Sequence, residues 1–498
     1  MVIWGISANS HDAALSVIKD NSLVFASQSE RYSKNKNDKD LHPELIKDAL
    51  RYGKPSSVVW YENPYVKTLR QLYAGQGLRI KENNIRRYLS TYGITAPVKI
   101  TGHHKSHASA GYYTSQFQEA AVLIIDAIGE FDTTTIWEGK GTKLTNKLGI
   151  GYPHSLGLWY SAMTQRVGLK PNEEEYILMG MAAYGDPHKY SAMIIEDFFD
   201  KKEYMNEFYY KSNLLRLKHN LHRGCSWWFP ELNRTNDPQD LYDIAAATQY
   251  VYELYFRDLL KKTKELIKSD NLVLGGGCAL NCVANPITLE YFKNVWIIPN
   301  PGDAGNSLGA ILSYTNEHIQ FTSPFLGYNI EGEYPVGGLI SELKTNKLVG
   351  VANGRAEFGP RALGNRSLLA DPRGPEIKDT VNAIKRRQKF RPFAPSILQE
   401  HAADYFDMVT DESPYMQYVV KCKRPEEFPA IIHADGTSRV QTVTKENNPG
   451  YYQLLMSWYE ETGCPMLLNT SLNIKGQPIV NTRNDALEFE HFYKVTVL

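Results

Sequence analysis

Apolar runs in this chain stop abruptly at small polar or glycine turns, and this pattern constrains the fold more than any other feature. Ala121 to Ile125 ends on Asp126, and Leu272 to Leu274 ends on Gly275-Gly276-Gly277. Runs of this kind read as buried strands, and α/β domains build their sites where such strands end. Near the start, Val2 to Ile6, Ala13 to Ile18 and Leu23 to Ala26 are β-prone, with Lys19-Asp20-Asn21 as a tight turn, which predicts a hairpin meander. Asp240 to Ile267 carries apolar residues at helical spacing with no Pro or Gly and predicts a long helix. A loop-rich stretch from Phe321 to Gly338 places a domain boundary, leaving a larger domain over 1–335 and a smaller one over 345–498. No repeat of solenoid length and no low-complexity tract is present.

Lys+Arg and Asp+Glu balance at 55 each, so the formal charge is zero, which argues against a globally basic or acidic binding protein. The 42% hydrophobic and 22% charged content excludes a disordered chain, and 498 residues predict two or three domains. The longest uninterrupted apolar run, Ala120 to Ile125, is far short of the ~20 residues that span a bilayer. Met1 leads into a strand-like segment without a signal-peptide pattern, so a soluble, cytoplasmic protein without a membrane partner is expected. Five scattered cysteines with no CxxC pair argue against a disulfide framework or a structural zinc site, so a metal must use other ligands.

His103 and His107 have the i, i+4 spacing that sets two imidazoles on one face of a helix. The spacing fits a metal clamp or a pair of surface histidines, and a third ligand decides between them. Asp303, in Pro301-Gly302-Asp303-Ala304-Gly305-Asn306 after the strand-like Val295 to Ile298, is either that carboxylate or a turn and N-cap former. Two His and one carboxylate leave positions open for Fe(II) or another divalent ion and for phosphate oxygens. Gly275-Gly276-Gly277 lets the backbone approach a phosphate or adenosine, with Cys278 to Asn285 as a helix start that favours anions. Close strand-to-helix packing is the alternative, because neither a P-loop nor a GxGxxG pattern is present. His11-Asp12 lies in the first hairpin turn, either solvated or placed to take a proton from a hydroxyl near neutral pH.

The densest polar cluster runs from Gly354 through Arg355, Arg361 and Arg366 to Lys385-Arg386-Arg387 and Phe390-Arg391-Pro392-Phe393. Its arginines alternate with Gly, Pro, Phe and Leu, residues of turns and cores, so they are held in place. Rigid guanidinium forks suit phosphate and carboxylate, which points to a compact anionic substrate. Asp435 to Thr442, with Arg439, and Leu468 to Asn473, with Ser471, add donors that complete such a pocket.

Together these segments resemble the NodU/CmcH family of O-carbamoyltransferases, which includes TobZ-like enzymes. The resemblance runs in order through His11-Asp12, His103-His104-Lys105-Ser106-His107-Ala108, Ser155-Leu156-Gly157-Leu158, Met179-Gly180-Met181-Ala182, Gly275-Gly276-Gly277-Cys278-Ala279-Leu280-Asn281, Pro301-Gly302-Asp303-Ala304-Gly305, Phe358-Gly359-Pro360-Arg361-Ala362-Leu363-Gly364-Asn365-Arg366-Ser367, Phe390 to Pro395 and Asn469-Thr470-Ser471. It implies an α/β (α+β) chain: an N-terminal actin-like ATPase domain (ASKHA, TsaD-like) and a C-terminal YrdC-like domain. It also implies ATP and carbamoyl phosphate as substrates, with O-carbamoyladenylate formed in the second domain and its carbamoyl group passed to an acceptor hydroxyl in the first. By motif position, His103, His107 and Asp303 look like metal ligands, for Fe(II) or another divalent ion, with Mg2+ also in view. His11 looks like the base, with Asp12 as its orienting or binding group. Asp126, Gly276, Gly277 and Asn281 look like the nucleotide site, and Arg361, Lys385, Arg391, Arg439 and Ser471 like the carbamoyl phosphate pocket. The chain departs from the family pattern at Ile177, where a lysine is expected, and at Ala127, where a glycine is expected.

For the acceptor, the resemblance implies a small hydroxylated molecule such as a sugar or antibiotic, with a hydroxymethylpyrimidine in nucleotide or DNA as the rival. Two segments bear on it. Between Tyr61 and Gly93, Lys67, Arg70, Arg79, Lys81, Arg86 and Arg87 interleave with Tyr61, Tyr65, Tyr73, Tyr88 and Tyr92, as either a solvated helical face or a nucleic-acid surface. Between Lys218 and Trp228, His219, His222 and Arg223 accompany Trp227 and Trp228, which could stack on a sugar or a base. A small-molecule kinase of the same N-terminal fold and a nonenzymatic nucleotide-binding regulator are the competing classes, and a homodimer is left open.

Overall fold

The computed structural model describes residues 1–199, 221–233 and 237–498. Residues 1–9, 17–22 and 54–320 form one compact unit, and residues 10–16, 23–53 and 321–498 form a second.

The hairpin meander forms as β1 (Val2–Ser7), β2 (Ala14–Lys19) and β3 (Ser22–Gln28). Asp20 and Asn21 both take positive φ, 48° and 62°. That is the requirement of a two-residue turn that follows strand twist, and Asp and Asn tolerate it. With β4 (Ser57–Trp60) and β5 (Val98–Ile100) these strands make a sheet of order β3-β2-β1-β4-β5, in which β1, β4 and β5 run parallel. A second sheet contains β6 (Glu119–Gly129), β7 (Asp132–Lys140), β8 (Lys143–Gly151), β9 (Asn271–Gly275) and β10 (Asn294–Trp296). Its order is β8-β7-β6-β9-β10, with β6 to β8 antiparallel and β6, β9 and β10 parallel. The two sheets therefore repeat one topology within a mixed α/β fold.

Four helices matter for the site: α1 (Pro64–Tyr73), α2 (His103–Tyr112), α3 (Pro238–Leu266) and α4 (Asn306–Thr315). Helices α2 and α4 follow β5 and β10, equivalent positions in the repeat, and pack on each other. The long helix expected over 240–267 is α3, started by Asp237, whose side chain accepts the Gln239 N–H, with Pro238 in the first turn. The segment behind the glycine turn departs from expectation. It forms short 3-10 turns, Gly277–Leu280 and Asn285–Glu290, so no helix N-terminus stands there to favour an anion.

Residues of the second unit form a sheet of β11 (Leu348–Ala352), β12 (Arg366–Ala370), β13 (Ala394–Leu398), β14 (Gln441–Val443) and β15 (Met466–Ser471), in the order β11-β12-β15-β13-β14. Val349, Val351, Leu368, Leu369, Ile397 and Leu467 of this sheet are fully buried with Leu454, Leu455 and Trp458 of the helix Pro449–Thr462. All five cysteines are free thiols. Among the described residues no helix is long and apolar enough to cross a membrane.

Candidate active site

Helix α2 presents His103 and His107 one turn apart, and both rings are buried. Their Nε2 atoms lie 3.1 Å from each other and 3.2 Å each from Oδ1 of Asp303. Asp126, at the bend of β6, brings Oδ2 to 3.3 Å from His103 and 3.8 Å from His107. Atoms bound about 2.1 Å from one ion stand roughly 3.0–3.4 Å apart in octahedral or tetrahedral geometry, so these spacings fit a divalent cation. The donor set, two imidazoles and two carboxylates, suits Fe(II) or another borderline ion. Charge argues the same way. Burial and the facing Asp303 carboxylate raise the pKa of Asp126, but the two imidazoles more than reverse this and hold it below the usual carboxylate range. Burial disfavours the His103 imidazolium, yet Asp303 and Asp126 hold its pKa well above the ordinary value. Asn306, at the start of α4, places Nδ2 2.9 Å from His107 Nε2.

The glycine turn is tied to this cluster through Asp126. Strands β6 and β9 set Ile124 beside Gly275, so the end of one strand meets the turn after the other. The Gly277 N–H donates to Asp126 Oδ1 at 3.1 Å, while Oδ2 of the same carboxylate faces the histidines. Gly276 has φ 84°, and a Cβ there would lie 2.2 Å from the Ile125 carbonyl oxygen, so only glycine fits. Asn281 exchanges hydrogen bonds with Gln249 of α3 at 3.1 and 3.2 Å, and Gln249 also accepts from Tyr160 at 2.9 Å.

In the turn between β1 and β2, His11 Nδ1 lies 3.0 Å from Asp12 Oδ2, and the imidazole is half exposed.

In the second unit, the strand registers gather the expected anion-binding residues at one end of a single sheet. Ser367 faces Ser471, Ala394 faces Asn469, and Ser396 faces Gln441. Arg361, Arg391 and Arg439 precede β12, β13 and β14, and Ser471 ends β15, so all four leave the sheet at that edge. Lys385 joins them: its buried Nζ donates to the Ser471 carbonyl, to Ser471 Oγ at 3.3 Å, and to Asn473 O and Oδ1 at 2.9 and 3.0 Å. Burial, followed by the charges of Arg387 and Arg391, holds its pKa well below the ordinary lysine value. Arg439 Nε is buried without a hydrogen-bond partner. Arg366 has a different job. It is fully buried and donates to the carbonyls of Asn353, Gly354, Asn365, Tyr328 and Asn481, cementing the fold.

The acceptor-side expectations fare differently. Helix α1 turns its basic residues inward: Lys67 is 3% exposed and pairs with Glu62 at 2.5 Å, and Arg70 donates to the Glu130 carbonyl at 3.1 Å and to Gln76 at 3.0 Å. Of the second segment, Lys218 and His219 lie outside the described residues. Trp228 is buried and donates to Asp197, and Trp227 packs on Phe198.

The carbamoyltransferase N-terminus family matches residues 52–312, and the carbamoyltransferase C-terminus family matches residues 340–498. The chain belongs to the carbamoyltransferase family. An uncharacterized protein of Synechocystis sp. is 36% identical over 97% of this chain and 93% of its own. The nodulation protein NolNO of Sinorhizobium fredii is 30% identical over 96% and 76%, and the 3'-hydroxymethylcephem-O-carbamoyltransferase of Amycolatopsis lactamdurans 26% over 95% and 94%. The chain is thus an enzyme of the carbamoyltransferase class. Sequence reasoning overlooked Asp126 as a partner of the metal-type cluster and also Asn306 and Gln249. Asn306 had a signal, since it closes the Pro-Gly-Asp-Ala-Gly-Asn motif.

Proposed function

We propose that this carbamoyltransferase uses ATP and carbamoyl phosphate, forms O-carbamoyladenylate, and transfers the carbamoyl group to an acceptor hydroxyl. The observation that carries the proposal is the Asp126 carboxylate, which joins the glycine turn to the two-histidine, two-carboxylate cluster. A nucleotide whose phosphates reach a divalent ion needs that coupling. The ion, when held by His103, His107, Asp303 and Asp126, supplies Lewis-acid polarisation and neutralises phosphate charge. In the second unit Arg361, Lys385, Arg391, Arg439 and Ser471 hold carbamoyl phosphate. Attack by water gives inorganic phosphate and carbamate, and the carbamate oxygen attacks the α-phosphorus of ATP and expels pyrophosphate. The acceptor oxygen then attacks the carbamoyl carbon, AMP leaves, and the hydroxyl proton passes to His11, whose other nitrogen is fixed by Asp12.

The test is to incubate the purified full chain with ATP, carbamoyl phosphate and Fe(II) or Mg2+, and to follow the nucleotide and acceptor products by mass spectrometry. AMP and pyrophosphate that appear only with carbamoyl phosphate, and a carbamoylated alcohol, are expected. ADP with a phosphorylated acceptor would assign the chain to the kinase class instead.

A further inference from the structure

The end of β6 carries a second acidic residue, Glu130, that the proposed chemistry leaves without a role. Pairing between β6 and β7 shifts register between Ile125 and Gly129, so residues 126–128 bulge out of the ladder. Asp126 leaves the bulge toward the two imidazoles, and Glu130 follows it with φ 60°. Residues other than glycine rarely take that conformation, and where they do, surrounding contacts hold them in it.

The contacts that hold Glu130 are the starts of two helices. Its Oε1 accepts the backbone N–H of Asn63, the N-cap of α1, and that of His103, the first residue of α2, the latter at 3.3 Å. Its own carbonyl accepts Arg70 Nε of α1 at 3.1 Å. Helix α2 has Gly102 at its N-cap and no acidic residue in its first turn. Glu130 therefore supplies from outside both the acceptor and the negative charge that this helix start calls for.

The same turn meets the His103 ring. A Cβ on Gly129 would lie 2.1 Å from its Cδ2, so only glycine lets the strand lie this close, and on another side the Tyr61 ring stands 5.3 Å away between centroids. A metal-binding imidazole is ordinarily oriented by a hydrogen bond from its second nitrogen. Here Nε2 faces Asp303 and Asp126, while Nδ1 is buried and makes no hydrogen bond among the described residues. Orientation of this ring thus falls to packing and to the backbone N–H that Glu130 holds.

We propose that Glu130 is a positioning residue for the metal: it fixes the first turn of α2, and with it the direction of the His103 imidazole, against the strand that supplies Asp126. The proposal rests on the metal reading of the cluster given above.

The test reads metal binding by the full chain rather than turnover. Co(II) alone, a spectroscopic stand-in for Fe(II), is titrated in competition with a chelating dye, and its visible bands report the coordination geometry. Glu130→Gly suits the positive φ and removes the carboxylate, and Glu130→Asp keeps the charge but draws the oxygens back by one methylene. Both should weaken Co(II) binding and shift the bands, Glu130→Gly by about ten- to hundredfold, the scale for a group that orients a metal ligand. Glu130→Gln keeps an acceptor at full reach and should stay within about fivefold, the scale of a charge lost at a helix N-terminus. Unchanged affinity and bands in Glu130→Gly and Glu130→Asp overturn the proposal, even where thermal unfolding shows lower stability, because a purely structural role predicts that result. So does an equal loss in Glu130→Gln, which would make the effect one of charge and not of placement. Failure of the unmodified chain to bind Co(II) would refute the metal reading itself, and this proposal with it.

Discussion

Asp126 joins two features of the site, because one oxygen faces two imidazoles and the other accepts a backbone N–H from the glycine turn. Asp126→Asn keeps an acceptor for Gly277 but removes the charge, so metal content measured by elemental analysis should fall at least about tenfold, in the range seen when a ligand environment is disturbed. Full metal occupancy in that variant would remove Asp126 from the ligand set. At His11 the prediction runs the other way. His11→Gln should lower carbamoyl transfer by roughly 10²–10⁴-fold, the contribution of a positioned base, and leave pyrophosphate release intact. Equal loss of both would place His11 outside the proton-transfer step. The i, i+4 spacing of His103 and His107 was legible in the sequence, whereas Asp303 joined them only through the family resemblance. The place of Asp126 beside them was not legible, because it depends on which residue of β6 lies next to Gly275 in β9, and pairing register is not a local property.

Helix α1 shows how an element can be legible as a helix and still be misread. Tyr65, Leu69, Leu72 and Tyr73 share one face and would be expected to point into the core. Instead Tyr65 is 76% and Leu69 60% exposed, while Lys67, Thr68, Arg70 and Gln71 are buried. The inversion has a cause in the partners. Glu62, the Asn9 carbonyl and the Glu130 carbonyl all face the helix and take its charged donors. Lys67→Met should therefore lower stability by about 3–5 kcal/mol, because Glu62 is left as an uncompensated buried charge, and the double change Lys67→Met with Glu62→Gln should recover most of it. Urea unfolding of the three variants measures this, and a neutral single variant would show the pair to be energetically idle. The same inward turn buries Lys67 and Arg70, while Arg79, Lys81, Arg86 and Arg87 of the same segment stay exposed. The hairpin turn and α3 were legible because their signals are local: two residues that tolerate positive φ, and a capped run without Pro or Gly. The segment after Gly277 was not, since its brief 3-10 turns carry no period that separates them from a helix start.

At the scale of the molecule, the repeated sheet order is the feature least visible in the sequence. The two sheets share topology, while the residues that fill them differ, from the Val-Ile-Trp-Gly-Ile of β1 to the Ala-Ala-Val-Leu-Ile-Ile of β6. Only the pattern of apolar strands ending in turns is common, and it yields a fold class rather than a duplication. Global stability carries a signature of its own through the buried His104 and the half-buried His222 and His433. Burial chiefly, with the Arg439 charge against it and Asp435 partly compensating, pushes His433 down to about 4. Burial likewise lowers His222 to about 4 and His104 to about 3, where His103 and His107 add to the effect. A histidine whose folded pKa lies below its unfolded value of about 6.5 binds more protons when unfolded, so its stabilising contribution is complete above that value and is lost as pH falls toward the folded pKa. His433 alone should therefore cost the folded state about 3 kcal/mol between pH 7 and 4. Denaturant unfolding across that range should show the loss, and His433→Gln should flatten it by a comparable amount. An unchanged slope in that variant would mean that His433 protonates as readily in the folded chain as in the unfolded one, and that it is not held neutral beside Arg439.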